Sequence, residues 1–310
     1  MFQTKDTSST FIIFSLLLAA SLDQSYAAAP RKKLQAALER TAESNLLPWT
    51  QRQQAGRSPF TTADVDAMWA KHNRSAVRFF LRNGEWTMNG SADWYPGLQR
   101  SLQGRGGEVH ELLIDLHAKM GLPDGLDLVW NLYDIPLIPA TSQAYQQPPL
   151  FSMCSREGYA DVPGISGGAF LFRFPTFNRS EVLARHPWKT RSNKAFWRGS
   201  PTGGNFSLDT WRDHVTFHLD TWPQYRRPQL VNLSQQHPDL LDAKFPSCVQ
   251  CAPGVFEQMQ KQLGQPEKVE WPSPDDLMSH KYIVDLDGNG WTERFLGQLA
   301  QQTAILKRHR

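Results

Sequence analysis

Residues 189–205 read KTRSNKAFWRGSPTGGN, and residues 280–307 read HKYIVDLDGNGWTERFLGQLAQQTAILK. Both begin with residues suited to a strand and break into glycine. In the first, Ala195-Phe196-Trp197 enters a turn that holds Gly199, Gly203 and Gly204 with Ser200 and Thr202 between them. Lys189, Arg191, Lys194 and Arg198 put four cations into ten residues just before that turn. In the second, residues 282–286 form a strand, residues 287–290 a turn, and residues 292–306 an amphipathic helix by their apolar spacing. Strand, glycine turn and helix is the unit with which α/β proteins cradle a phosphate. Glycine lets the backbone approach the ligand, and a helix start carries positive partial charge. Arg198 and Arg294 flank these turns, and an arginine grips a diphosphate with two hydrogen bonds. A solvated basic loop beside an ordinary turn is the plainer alternative.

Upstream, residues 126–132 (LDLVWNL) form a strand that stops at Tyr133-Asp134, with Pro136 and Pro139 beyond. The ends of strands are where α/β folds keep reactive side chains. Asp134 is therefore a candidate site residue, although an Asp before Ile-Pro is often only a turn former. Residues 150–154 and 169–174 read as further strands. Residues 31–47 carry a helical pattern. Residues 64–81 do so too, capped by Thr61 or Thr62 and including Val65, Met68, Trp69, Val77, Phe79 and Phe80. Residues 180–184 and 210–219 are helical, residues 83–107 read as loop, and residues 109–116 fit either strand or helix.

The N-terminus reads as an export signal. Lys5 lies in a polar start, residues 11–20 (FIIFSLLLAA) are almost wholly apolar, and Ser25-Tyr26-Ala27 offers a cleavage site. An apolar run of about 10–12 residues is short of the ~20 needed to span a bilayer, so a cleaved signal over residues 1–27 is expected and no stable membrane span. Five sequons, at Asn73, Asn89, Asn178, Asn205 and Asn232, agree with passage through the secretory lumen. Cys154, Cys248 and Cys251 permit one disulfide and leave one thiol. Pro246 and Pro253 bracket Cys248-x-x-Cys251, which places that pair in a structural loop. No second pair or His cluster completes a zinc site.

The 310 residues are 40% hydrophobic with a formal net charge of +3, a globular composition. Nucleic-acid binders usually carry a marked basic excess, so a nucleic-acid partner is not expected. Eleven Trp suit either sugar stacking or, more commonly, core packing. A secreted sugar-binding protein using exposed Trp is thus a further alternative.

The order of motifs is specific. Ala195-Phe196-Trp197-Arg198-Gly199-Ser200 with Thr202-Gly203-Gly204 resembles the Phe-Trp-Arg-Gly-x-x-Thr-Gly signature of glycosyltransferase family 90. This family holds the Rumi-type (KTEL-motif) protein O-glucosyltransferases and the fungal capsule-associated xylosyltransferases. Lys281-Tyr282, the Asp287-Gly288 turn, Arg294-Phe295 and Leu306-Lys307 resemble its second signature. Residues 131–136 (NLYDIP) and 149–152 (PLFS) resemble its upstream segments, in the right order, and the likeness runs over residues 90–307.

The resemblance implies an α/β, GT-B-like fold of two Rossmann-like domains facing a cleft. An acceptor-side domain would span residues 28–178 and a nucleotide-sugar domain residues 179–310. It further implies an inverting transferase, without metal or other cofactor, that moves glucose or xylose from UDP-glucose or UDP-xylose to a protein or glycan hydroxyl. Asp134 matches the family's catalytic aspartate. Arg198, Gly199, Ser200, Thr202, Asn289, Gly290, Trp291, Thr292, Glu293 and Arg294 match its donor-binding positions. Phe151 and Ser152 would line the cleft, and an Asp285-x-Asp287 metal pair is not expected. Family members usually continue for several dozen residues past the Leu-Lys pair, whereas this chain ends at Arg308-His309-Arg310. An incomplete second domain is therefore expected, and an inactive relative that binds UDP or a glycan is the alternative function. A KTEL or KDEL ending is absent, so no retention signal of that kind is expected.

Overall fold

The computed structural model describes residues 40, 43–52, 54–56, 60–90, 102–141, 143–155, 157–164, 179–203, 220–290, 292, 298 and 303–307. The chain divides into two compact units, Met1–Leu171 and Phe172–Arg310. The export signal, the strand expected at residues 169–174 and the helix at 210–219 lie outside the described residues.

In the first unit, α1 (Thr62–His72) starts at Thr61 with a capping box. The Thr61 side chain accepts from the Asp64 amide, and the Asp64 carboxylate accepts from the Thr61 N–H. The helical pattern ends there. Val77 and Phe79 belong instead to strand β1 (Ala76–Arg82), whose alternation is masked because nearly every side chain is buried. Asn83 and Gly84, at φ 54° and 78°, make a two-residue turn into β2 (Glu85–Asn89), so part of the expected loop is a hairpin. The Asp124 carboxylate accepts from both turn amides at 2.9 and 3.0 Å.

A π-helical turn (Leu102–Gly106) leads into α2 (Gly107–Met120), which settles residues 109–116 as helix. Val109, Leu112, Leu113 and Leu116 form its buried stripe, and Gly121 ends it in the left-handed conformation. Strands β3 (Asp127–Asn131), β4 (Leu150–Ser152) and β5 (Val162–Pro163) complete a five-stranded sheet of order β2-β1-β3-β4-β5. It is mixed. β1 runs antiparallel to both β2 and β3, whereas β3, β4 and β5 are parallel.

The second unit holds α3 (Arg179–Arg185), β6 (Ser192–Arg198), α4 (Arg226–Gln236), β7 (Leu241–Lys244), α5 (Val255–Gln262), α6 (Pro274–Met278), β8 (His280–Asp285) and β9 (Ala304–Lys307). Its sheet has the order β7-β6-β8-β9 and every pair is parallel. Residues 304–306, expected at the end of a helix, are strand instead, because residues 304–307 pair with β8. A parallel sheet must be covered on its faces. Trp197, Trp222, Val231, Leu241, Ala243, Phe245, Met259 and Val284 supply one buried cluster. Most described tryptophans, Trp49, Trp86, Trp130, Trp197 and Trp222 among them, are core residues, which favours packing over a sugar-stacking surface. Among the described residues no helix is long and apolar enough to cross a membrane.

Candidate active site

Because the four strands of the second unit are parallel, their C-terminal ends share one edge, the usual ligand edge of such sheets. The loop after β6 and the loop after β8 meet there. Gly203, at φ +86°, donates its N–H to Asn289 Oδ1 at 2.9 Å. A Cβ on Gly203 would fall 2.7 Å from the Gly288 carbonyl oxygen, and one on Gly288 would fall 2.7 Å from Thr202 Oγ1. Glycine is required at both places by close approach, and at Gly203 by backbone conformation as well.

Beneath the two loops lies Arg227, in the first turn of α4 and 6% exposed. Its Nη1 donates to the Ser200 carbonyl at 2.8 Å and to Thr202 Oγ1 at 2.5 Å, while Nη2 donates to the Leu286 carbonyl at 2.9 Å. The guanidinium lies 5.6 Å over the ring of Trp197, a cation–π arrangement on a buried aromatic floor. Thr292 Oγ1 also donates to the Leu286 carbonyl, at 2.9 Å. Sequence reasoning missed Arg227. Residues 225–228 read Tyr-Arg-Arg-Pro, and nothing there tells that the second arginine is buried while the first is exposed.

Arg198 lies on the opposite face of β6 from Trp197, over the Phe196 ring at 4.3 Å. It donates to the Asp242 carbonyl at 2.9 Å and to Asp242 Oδ2 at 2.8 Å. Burial alone would raise the Asp242 carboxyl, but hydrogen bonds from Arg198 and Lys244 outweigh it and hold the group below the usual carboxylate range. Asp285 and Asp287 both accept from Lys307 Nζ, at 2.5 and 3.1 Å, so the acidic pair is engaged by a cation of the neighbouring strand. Burial opposes the charged form of Lys307, yet the two aspartates raise it above its ordinary value. Ser200, 8% exposed, accepts from the Val249 N–H at 3.0 Å. Val249 lies inside the Cys248–Cys251 disulfide, while Cys154 is buried and takes no part in a disulfide.

The structure thus brings Ser200, Thr202, Asn289 and Thr292 into one hydrogen-bonded group, with Gly290 buried in the second loop and Gly199 at the end of β6. Arg198 sits on the same sheet edge but is paired with β7. Trp291, Glu293 and Arg294 lie outside the described residues. Along this edge Arg198 and Lys244 pair with Asp242, and Lys307 pairs with Asp285 and Asp287.

In the first unit, Asp134 follows β3. Every residue from Asn131 to Ile138 is buried except Asp134, which is half-buried. Asn131, fully buried, fixes this loop. Its Nδ2 donates to the Ile135 carbonyl at 2.7 Å and to Ser152 Oγ at 3.2 Å, and its Oδ1 accepts from the Tyr133 N–H at 3.0 Å. Ser152 Oγ donates to Asp161 Oδ1 at 2.5 Å, and the Asp161 carboxylate accepts from the Leu137 and Ile138 amides at 2.8 and 2.7 Å. Burial raises the Asp161 carboxyl, against the lowering effect of these bonds. Ser152 is therefore part of the support under the loop, and Phe151 packs on Trp130 with ring centroids 5.5 Å apart.

Arg105, from the π-helical turn, reaches Asp134 Oδ1 at 2.7 Å and the Leu132 carbonyl at 2.9 Å. π-turns are frequent at functional sites, and this one supplies the cation beside the candidate base. Arg105 was hidden in a segment that reads as loop. A half-exposed carboxylate on a rigid loop can accept a proton from a bound hydroxyl.

Residues 100–212 match the family model described as Glycosyl transferase family 90. The matched stretch contains Arg105 and Asp134 and runs through Arg198, Gly199, Ser200 and Thr202.

Proposed function

We propose, on the family match over residues 100–212, that the chain is a glycosyltransferase of family 90 that moves glucose or xylose from a UDP-sugar to a hydroxyl of a protein or glycan, with inversion and without a metal. The paired glycine loops of the second unit carry this reading. They form a stiff, cation-backed rim at the ligand edge of a parallel sheet, where a diphosphate finds amides, hydroxyls and guanidinium groups. Ser200, Thr202, Asn289, Gly290 and Thr292 build that rim, Arg198 and Arg294 add charge, and Gly199, Trp291 and Glu293 complete the donor set.

Asp134 is the general base. Its carboxylate takes the proton of the acceptor hydroxyl while the oxygen attacks the anomeric carbon on the face opposite the UDP. The bond from that carbon to the diphosphate oxygen breaks, and UDP leaves with the electron pair. The leaving diphosphate needs charge stabilisation more than a proton, so one carboxylate suffices. We place this chemistry in the secretory lumen, from the export signal and the sequons. Of the sequons within the described residues, Asn89 and Asn232 are exposed and Asn73 is half-exposed.

UDP release measured over a panel of UDP-sugars, with and without peptide and glycan acceptors, tests the reading. The parent protein releases UDP from a glucose or xylose donor, and Asp134→Asn abolishes turnover while UDP binding persists. Turnover at the parental rate in Asp134→Asn removes Asp134 from its role. UDP binding without turnover of any donor points to the inactive relative instead.

A further inference from the structure

We propose that Arg227 is a positioning residue for the donor. It holds the β6 and β8 loops as one preformed cradle and acts on the nucleotide through them. The proposal deepens the donor-binding reading above and rests on it for the identity of the ligand.

The geometry supports this role on three counts. First, the guanidinium bridges elements far apart in sequence, since Ser200 and Thr202 belong to one loop and Leu286 to the other. Second, the loops it joins have no slack. Gly203 and Gly288 approach so closely that neither place has room for a methyl group, and the Gly203 amide is already held by Asn289. A shift of one loop must move the other. Third, the guanidinium is buried against Trp197 and fixed by three acceptors in different directions. A lysine keeps the charge but not the planar fork that reaches two loops. Preformed cradles bind more tightly because their ordering cost is met on folding and not on binding. Arg227 therefore sets donor affinity, and acceptor binding does not depend on it.

Two variants test the proposal: Arg227→Lys, which keeps the charge, and Gly288→Ala, which keeps the guanidinium but drives a methyl group against both Thr202 Oγ1 and Arg227 Nη2 where they meet. Calorimetric titration with UDP, well below the melting temperature, gives the affinity. Amide hydrogen exchange gives the state of the loops, and steady-state kinetics give the donor and acceptor KM. Arg227→Lys is expected to weaken UDP binding by about tenfold or more, the worth of one to two lost hydrogen bonds. Donor KM should rise with it while acceptor KM stays at the parental value. The Gly203 amide should exchange faster in both variants without UDP.

UDP affinity in Arg227→Lys within about twofold of the parent, against the tenfold expected, overturns the positioning role. Parental exchange at Gly203 in both variants overturns the coupling of the loops. Should Arg227→Lys fail to fold, Gly288→Ala decides by the same readouts. A parent protein that binds no UDP overturns the donor reading itself, and faster exchange at Gly203 in the variants then still reports on the loop coupling separately.

Discussion

The contact between the two glycine loops predicts a difference between two chemically identical substitutions. Gly203 and Gly254 both belong to the second unit, and both have positive φ, at +86° and +75°. An alanine at either place bears the strain of the left-handed region, about 1–2 kcal/mol. A Cβ on Gly254 meets nothing within 4 Å, so strain is nearly its whole cost. On Gly203 the Cβ would lie 2.7 Å from a backbone oxygen of the facing loop, which no side-chain rotation relieves. Forced displacement of packed groups costs about 1–3 kcal/mol more. The hydrogen bond from the Gly203 amide to Asn289 adds about 1 kcal/mol if it is lost.

At roughly 2–4 °C per kcal/mol, Gly254→Ala should lower the Tm by ~2–8 °C. Gly203→Ala should lower it by ~6–24 °C on the same scale. Differential scanning calorimetry of both variants beside the parent, confirmed by urea unfolding, measures the gap. Equal destabilisation would refute the reasoning, because it would mean that the loops are not held against each other.

Three further outcomes follow from single groups. Burial pushes His72 down to about 4, so the unfolded chain takes up its proton first as pH falls. Its contribution is intact above pH ~6.5 and is lost as pH drops from there towards 4, up to about 3 kcal/mol; His72→Phe should flatten that part of a stability–pH curve measured by urea unfolding. Asp161→Asn replaces one acceptor oxygen by a donor facing the Leu137 or Ile138 amide, or Ser152, and should cost ~1–3 kcal/mol by the same assay. Unchanged stability would deny Asp161 its place under the Asp134 loop. Replacing Cys248 and Cys251 together by serine opens a four-residue ring, worth about 2 kcal/mol. It should also loosen the Val249 amide from Ser200, so a double-mutant cycle with Ser200→Ala should be non-additive.

Much of the ligand edge could be read from residues alone. β6 and β8 each hold a short apolar stretch, Ala195–Trp197 and Tyr282–Val284, shortly before a glycine turn, and such stretches advertise a parallel strand and its turn. The Asp134 turn was legible for the same reason, as a strand ending in a polar residue. What stayed hidden had competing periodicities. Val77 and Phe79 continue the apolar spacing of α1 for one more turn, although Asn73 and Arg74 intervene, so β1 passes for helix. Ala304 to Leu306 prolong a helical pattern in the same way, and only pairing with β8 makes them a strand. The Asn83-Gly84 dipeptide was an available hairpin signal. Arg105 and Arg227 carried no such signal. A cation's burial depends on acceptors supplied by distant segments, and those exist only in the fold.

The segment Asn131 to Ile138 has a consequence for how such a protein diversifies. Seven of its eight side chains face the interior and one does not. With Asp134 as the proposed base, saturation mutagenesis would report intolerance across the whole stretch from two unrelated origins: at the interior positions by loss of protein abundance, at Asp134 by loss of turnover in a chain that still accumulates. A drifting lineage has little raw material here, and its innovations should surface in segments whose side chains are not committed to the interior.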